Sequence, residues 1–479
     1  MRPPRTAAEV SRLGTGYSSP MTQISEAPGH VQDTVGAMSS PVSVAAGGIE
    51  EAVLAVRDAQ PGWAAVAAAE RGAMLHRAAD AVRTAADELA IMLERETGRP
   101  RESGREGVLA GAGTLDQYAE LGPVHRGRSL QGDRTAADFM IPQPRGVVLA
   151  LTPWNDPVAI ACGLLGAALA TGNTVLHKPS ERCSRTGELL GRLLAEHLPD
   201  SVIRTVGGGA ETGALLAASS LVDVIAHVGS SETGRRISAA AARTGAKVLL
   251  ENGGNDPLLI DADVDPEWAA EQAALGAFAN AGQICTSVER VYVHARIAEP
   301  FIDALCARAE EWNRDPQPLV DARQRAQVHD QVTEAESRGA RILVGGRIPE
   351  GEGAVYPATV LVDCSPDMTI MREETFGPVA PVRVVPDFEA GLSQARCGDY
   401  GLAATILTAS MANAQRAWHE LPVGTVKVNA VFGGAPGGAA QPRGRSGNGF
   451  GYGPELLDEM TAMKVVHLES PPARVRPSS

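Results

Sequence analysis

The feature that most restricts how this chain can fold is a regular alternation of short apolar runs with longer segments rich in small or amphipathic residues, between positions 146 and 250. Gly146-Val147-Val148-Leu149-Ala150-Leu151 is an unbroken apolar run stopped by Pro153, the pattern of a strand buried on both faces. Residues 157–170 are apolar and small enough for a helix packed on both sides. Strands are then predicted at 174–177, 202–206, 222–228 and 247–250, with helices at 187–197 and 232–243. Strand and helix taking turns in this way means βαβ units and a parallel sheet, so the fold class is α/β.

On the N-terminal side, Ile49, Val53, Val56, Trp63, Val66, Met74, Leu75, Ala78, Val82, Leu89, Ile91 and Leu93 recur at helical steps. Gly98-Arg99-Pro100 ends that helical region, and another helix is predicted over 102–121. Residues 124–146 are polar and turn-rich, with Phe139, Met140 and Ile141 suited to an edge hairpin. Past Pro257 a second α/β set is predicted, with strands at 258–260, 290–293, 341–344, 379–385 and 403–407 and helices at 266–281, 298–314 and 321–339. A domain change is placed near Gly253-Gly254, and the run 465–468 reads as a last strand able to pair with an edge elsewhere. A length of 479 residues exceeds one ordinary core and agrees with two or three domains. Residues 1–41, rich in Ser, Thr, Pro and Gly without an apolar signal core, read either as a transit peptide, for their arginines, or as a disordered extension with Met21 as an alternative start; the extension is the expectation.

The charge balance, 43 basic against 57 acidic residues for a net −14, offers no clustered basic surface for nucleic acid. No apolar run reaches the roughly 18–20 residues of a membrane helix, so no membrane partner is expected. Six scattered cysteines without CxxC pairs argue against a metal site and for reduced thiols in a cytoplasmic location.

Candidate chemistry falls in a few short stretches. Thr152-Pro153-Trp154-Asn155-Asp156-Pro157 follows a strand, where α/β sheets place ligands; Asn155 is either a turn residue or a donor to a developing oxyanion. Lys178 and Glu181 lie just past the next strand, either solvated or placed so that the acid accepts the hydroxyls of an adenosine ribose. That acid repels a 2′-phosphate and so favours NAD over NADP. Val206-Gly207-Gly208-Gly209-Ala210-Glu211-Thr212-Gly213 is a weak phosphate-loop signal that misses the usual glycine spacing. Val228-Gly229-Ser230-Ser231-Glu232-Thr233 fits better as a strand, turn and helix start facing a pyrophosphate, although Ser230 or Ser231 also suits a plain cap. Glu251 ends an apolar strand, either exposed at a sheet edge or poised in a cleft. Cys285 follows Gly282-Gln283 and is either a small buried hydrophobe or a nucleophile.

Together these stretches resemble the NAD(P)-dependent aldehyde dehydrogenase superfamily, in collinear order over about residues 49–468. The resemblance implies a Rossmann-like cofactor domain (42–123 and 143–253), an α/β catalytic domain (254–445) and a small bridging β-sheet (124–142 and 446–479) that forms a homodimer or homotetramer. By the same resemblance Cys285 is the nucleophile, Asn155 the oxyanion donor and Glu251 the general base. Lys178 and Glu181 would contact the adenosine ribose, Ser230 the pyrophosphate, and Glu374 and Phe376 the nicotinamide ribose and ring. Trp154, Ser180, Gly209, Gly213, Gly229 and Thr233 complete the expected cofactor contacts. The implied activity is that of an oxidoreductase converting an aldehyde to a carboxylic acid through a Cys285 thioester. Two rival readings are a coenzyme A-acylating relative, which would lack the Glu base, and a catalytically silent nucleotide-binding relative.

Four positions depart from the family pattern. Asp156 replaces an aromatic residue, Asn252 replaces a leucine, 435–440 is Gly/Ala-rich where an aromatic wall is common, and Gly451 stands where a second acid is usual. The first and third suggest a roomy, partly polar pocket for a bulky or hydroxylated aldehyde.

Overall fold

The computed structural model describes residues 46–351, 353–434 and 438–471. The extension expected at 1–41 and positions 435–437 of the Gly/Ala-rich stretch lie outside the described residues. Four helices come first, α1 (Ala46–Ala65), α2 (Ala68–Thr84), α3 (Ala86–Thr97) and α4 (Arg101–Val124). Gly98 closes α3 in the left-handed region at φ 73°, which glycine adopts without a Cβ penalty. The hairpin strands β1 (Arg128–Leu130) and β2 (Ala136–Pro144) follow.

The predicted alternation is then realised as β3 (Val147–Thr152), α5 (Pro157–Ala170), β4 (Thr174–Pro179), α6 (Ser184–Ala195), β5 (Ile203–Thr205), α7 (Ala210–Ala217), β6 (Val224–Gly229), α8 (Ser231–Thr244) and β7 (Lys247–Asn252). Strands β7, β6, β3, β4 and β5 lie side by side in that order, all parallel. The chain moves outward from β3 to β5, then returns to the other side of β3 for β6 and β7. The carboxyl ends of β3 and β6 therefore flank a topological switch point, the usual ligand crevice of an open α/β sheet. One side of the sheet is covered by a core in which Trp63, Leu75, Leu89, Leu115 and Tyr118 meet Leu165 and Leu169 of α5.

The chain crosses to a second sheet through Gly253, Gly254 and Asn255. Its elements are β8 (Asp256–Ile260), α9 (Pro266–Phe278), β9 (Val288–His294), α10 (Ala298–Trp312), α11 (Ala322–Ser337), β10 (Arg341–Val344), β11 (Thr359–Val362), β12 (Val379–Val385), α12 (Phe388–Ala395), β13 (Tyr400–Gly401), β14 (Ala403–Leu407), α13 (Met411–Glu420) and β15 (Thr425–Val428). The strand order is β10-β11-β12-β9-β8-β14-β15, parallel except for β10 against β11. One expectation is corrected: the helix predicted over 266–281 stops at Phe278, because Asn280 and Ala281 take left-handed angles of φ 51° and 53°. Strands β11 and β15 and helices α12 and α13 had no predicted counterpart.

The chain ends in β16 (Arg443–Gly444), β17 (Gly447–Asn448), α14 (Glu455–Glu459) and β18 (Thr461–Glu469). β17 pairs with β7, setting Gly447 opposite Glu251. β18 pairs antiparallel with β2 along its whole length, so the strand predicted near Val465 finds its edge there. Leu165 is fully buried at the centre of α5. Its replacement by alanine should cost about 2–5 kcal/mol through the cavity left behind, read as a lower urea midpoint at unchanged m-value. A midpoint equal to that of the parent protein would contradict this packing.

Candidate active site

The parallel strands of the first sheet all deliver their carboxyl ends to one edge. Beyond β3, Asn155 lies between Pro153 and Pro157, and its side-chain Nδ2 donates to the carbonyl of Gln283 at 3.1 Å. That bond ties the first predicted motif to the Cys285 turn, across 128 positions of sequence. Asp156 is no free polar group in a pocket, since it forms an ion pair with Arg99 at 2.9 Å.

The turn that carries the nucleophile candidate is backbone-strained. Asn280, Ala281 and Gly282 are successive left-handed residues (φ 51°, 53° and 72°), a conformation that costs non-glycine residues roughly 1–2 kcal/mol each. Gln283 offsets part of this cost: its Nε2 donates to the Asn280 carbonyl (3.0 Å) and its Oε1 accepts from Val320 N–H (2.9 Å). A Cβ at Gly282 would overlap the Gly377 carbonyl, so only glycine allows the turn to seat here. Cys285 is half-buried. Burial pushes its thiol up to about 12, and the nearby Glu251, Asp256 and Glu374 add to the rise while Lys427 opposes it.

Lys427 and Asp256 escaped the sequence reading. Lys427 sits inside β15 and donates from Nζ to the Val431 carbonyl (2.7 Å), with its ammonium 5.5 Å from the centre of the Phe432 ring. Asp256 accepts from Ala403 N–H (3.1 Å) through Oδ1, and its Oδ2 has no hydrogen-bond partner. Burial holds that carboxyl well above the ordinary range. A charge-bearing residue within an otherwise apolar strand, as in Thr425-Val426-Lys427-Val428, was the available signal for the lysine.

Glu251 occupies the penultimate position of β7. Burial pushes its carboxyl up to about 7, opposed by a backbone hydrogen bond from Gly451. A Cβ at Gly451 would overlap the Glu251 carboxyl group, so the place of the family's second acid is filled by Glu251 itself. Successive side chains alternate across a strand, and Asn252 accordingly turns away from Glu251. Its Nδ2 donates to the Arg445 carbonyl (2.9 Å), and its amide packs against Gly234 of α8. That departure from the family pattern is a tie between β7 and the C-terminal segment.

The remaining candidates line the same edge. Lys178, at the end of β4, reaches Glu181 at 3.4 Å, and Gly213 of α7 faces the lysine stem. Gly209 precedes α7 with no atom near the position of a Cβ. Ser180 spends its hydroxyl as a cap, accepting from Arg182 N–H at 3.3 Å. Ser230, after Gly229, likewise caps α8 by accepting from Thr233 N–H at 3.3 Å, and its hydroxyl also bonds the Thr233 hydroxyl.

Trp154 and Phe376 meet edge to face, 5.5 Å between ring centres. Phe376 has φ 50°, and Glu289, another residue the sequence reading missed, stabilises that turn by accepting from Thr375 N–H (2.8 Å) and Phe376 N–H (3.1 Å). The Glu374 carboxylate packs against Gly253 and accepts from Gly254 N–H at 3.2 Å. Among the described residues no cluster of three or more His, Cys, Asp or Glu side chains is arranged to hold a metal, and no helix is long and apolar enough to cross a membrane.

The strained turn generates a direct test. Gly282→Ala imposes a left-handed angle on a residue with a Cβ and drives that atom into Gly377, so stability should fall by about 1–3 kcal/mol, measured as the urea midpoint. An unchanged midpoint would contradict the described seating of the turn.

A family model described as the aldehyde dehydrogenase family matches residues 32–466. Among solved structures, lactaldehyde dehydrogenase from Escherichia coli is 32% identical with a TM-score of 0.84, over 88% of this chain and 91% of that one. A 3,6-anhydro-L-galactose dehydrogenase in complex with NAP is 30% identical with a TM-score of 0.86, over 89% and 93% respectively. An NAD-dependent aldehyde dehydrogenase from Sinorhizobium meliloti is 30% identical with a TM-score of 0.85, over 91% and 89%. With a match that spans nearly all of the described residues and both sheets, this chain belongs to the aldehyde dehydrogenase family.

Proposed function

We propose that the protein oxidises an aldehyde to a carboxylic acid with NAD(P)+, using Cys285 as nucleophile, Asn155 as oxyanion donor and Glu251 as general base. The observation that carries this reading is the meeting of the Cys285 turn with the Asn155 amide and with the buried Glu251 carboxyl at one sheet edge. The same edge suits a dinucleotide. The start of α8 presents free N–H groups after the Gly229-Ser230 turn, Gly209 leaves open space, and Lys178 and Glu181 stand side by side. In this reading Lys178 and Glu181 hold the adenosine ribose, Ser230 and the α8 amides the pyrophosphate, and Glu374 and Phe376 the nicotinamide riboside. The Glu181 carboxylate disfavours a 2′-phosphate, so NAD is the preferred cofactor over NADP.

The Cys285 sulfur adds to the aldehyde carbon as a thiolate, its proton passing to solvent, while Glu251, raised to about 7, stays part-ionised at neutral pH for the hydrolytic step. The carbonyl oxygen becomes an oxyanion, held by the Asn155 amide and the Cys285 backbone N–H. Bound NAD(P)+ supplies the hydride acceptor that leaves a thioester on Cys285. Glu251 then takes a proton from a water molecule as that water attacks the thioester carbon. Collapse of the adduct expels the Cys285 thiolate, which is reprotonated as the acid leaves. A base in this position favours hydrolysis over transfer to coenzyme A.

The pocket reading rests on small residues in the segment that follows β15. Gly433 and Gly434, beyond Phe432, have no atom near a Cβ position. These features support an aldehyde that is bulky or hydroxylated. The three larger sheets are read as cofactor-binding, catalytic and bridging parts. Met463, Val465 and Leu468, exposed on β18, support a homodimer or homotetramer built through the three-stranded sheet.

The test is NADH formation with a panel of small aliphatic, bulky and hydroxylated aldehydes. Hydroxylated or bulky members should show higher kcat/KM than acetaldehyde, and Cys285→Ala should abolish turnover. A preference for acetaldehyde would contradict the pocket reading, and turnover by Cys285→Ala would contradict the mechanism. Because Glu251 acts as a base only when deprotonated, kcat should rise with pH through about 7. Glu251→Gln should flatten that rise and lower kcat by roughly 10²–10⁴. A rise of the same midpoint in Glu251→Gln would assign it to another group.

A further inference from the structure

The turn between α3 and α4 carries a cation that takes no part in the steps above. Arg99 stands between Gly98, which ends α3, and Pro100, which opens α4. Its side chain is only 12% exposed and makes three polar contacts at once. Nη1 donates to the backbone carbonyl of Asn155 at 3.0 Å, and the same nitrogen lies 2.9 Å from Asp156 Oδ1. Nε donates to Ser103 Oγ at 3.1 Å, which anchors the guanidinium plane to the first turn of α4. One turn further along α4, Gly107 leaves the gap the pair fills: a Cβ there would lie 2.6 Å from Asp156 Oδ1 and 3.4 Å from Arg99 Nη2. The pair is thus built from both sides, by a glycine on one helix and by the two residues that precede another.

We propose that Arg99 is a positioning residue for the oxyanion donor, gripping the Asn155 carbonyl and the Asp156 carboxylate together and so fixing where the Asn155 amide points. The inference rests on the reading of Asn155 as that donor. The loop it holds is short and lies between two prolines, so a backbone carbonyl pinned at one end leaves the amide little freedom to swing. A guanidinium suits the task because Nη1 meets two acceptors while Nε, fixed in the same plane, meets a third, which a lysine ammonium on a flexible stem does not reproduce. Asp156, where relatives commonly carry an aromatic residue, thereby orients the arginine. Oxyanion donors act through geometry, and losing one typically lowers kcat by about 10²–10³. Loosening one by removing its brace should cost less than removing it.

A double-mutant cycle tests this, run with NAD and the fastest aldehyde of the panel above. Arg99→Met should lower kcat by roughly tenfold to a hundredfold with KM changed less than about threefold, and Arg99→Lys should recover only part of the loss. In an Asn155→Ala background, Arg99→Met should cost less than about twofold more, because its partner is already gone. Added guanidinium ion should restore part of the kcat of Arg99→Ala and none of that of Arg99→Ala/Asn155→Ala. Losses that add fully in the cycle, or an Arg99→Met enzyme with parental kcat, would overturn the inference while leaving the oxyanion reading intact. Full activity in Asn155→Ala would overturn the oxyanion reading and the inference with it. Urea midpoints of the variants report on folding separately: a kcat loss that tracks the midpoint in both backgrounds would assign Arg99 a purely structural role and overturn the proposal.

Discussion

A carboxyl group partly withdrawn from water at the end of a strand is the constraint on which the rest of this site depends. Exposed to solvent, Glu251 would ionise in the ordinary carboxylate range and be a poor base; burial raises it to about 7, with the Gly451 backbone holding it from rising further. Asp256 and Glu374 are raised well beyond that range, while the Glu289 carboxyl, also near 7, is committed to the Thr375 and Phe376 amides. Glu251 is therefore the acid of the group that lies near 7 without being committed to the turn at Thr375 and Phe376. The arrangement has a cost in stability. A carboxyl raised from 4.5 to about 7 holds its proton in the folded state over a range where the unfolded chain has lost it. Stability from this group is full below about 4.5 and declines as pH rises toward 7, by on the order of 3 kcal/mol.

Close contacts that exclude side chains set the geometry around that acid. Gly451 gives the Glu251 carboxyl its place, Gly253 does the same for Glu374, and Gly282 lets the Cys285 turn press against Gly377. Each contact joins segments far apart in sequence, and each would be blocked by a methyl group. The parallel sheet supplies the common edge, and these gaps allow the second sheet and the C-terminal segment to close upon it.

Much of the architecture was legible because its signals are local. Apolar runs such as Val147 to Leu151 announce buried parallel strands, and Gly98-Arg99-Pro100 marks a helix end wherever it occurs. The end of α9 was illegible because Asn280 and Ala281 are ordinary helix residues forced left-handed by tertiary contacts. β15 was hidden by Lys427, whose charge interrupts an apolar pattern and whose place becomes intelligible only beside Asp256 and the Cys285 turn. Asp156 and Asn252 looked like departures from the family pattern. Their partners, Arg99 and Arg445, lie too far along the chain for any spacing rule to pair them.

The central claim is that one sulfur carries the acyl group and one buried acid frees it. Intact-protein and peptide mass spectrometry of Glu251→Gln, quenched in acid after mixing with aldehyde and NAD, tests it most directly. The account predicts an acyl adduct accumulating on the peptide that contains Cys285, because the thioester forms and its hydrolysis is slowed. An adduct on another residue, or a Cys285 that stays unmodified while product forms, would contradict it.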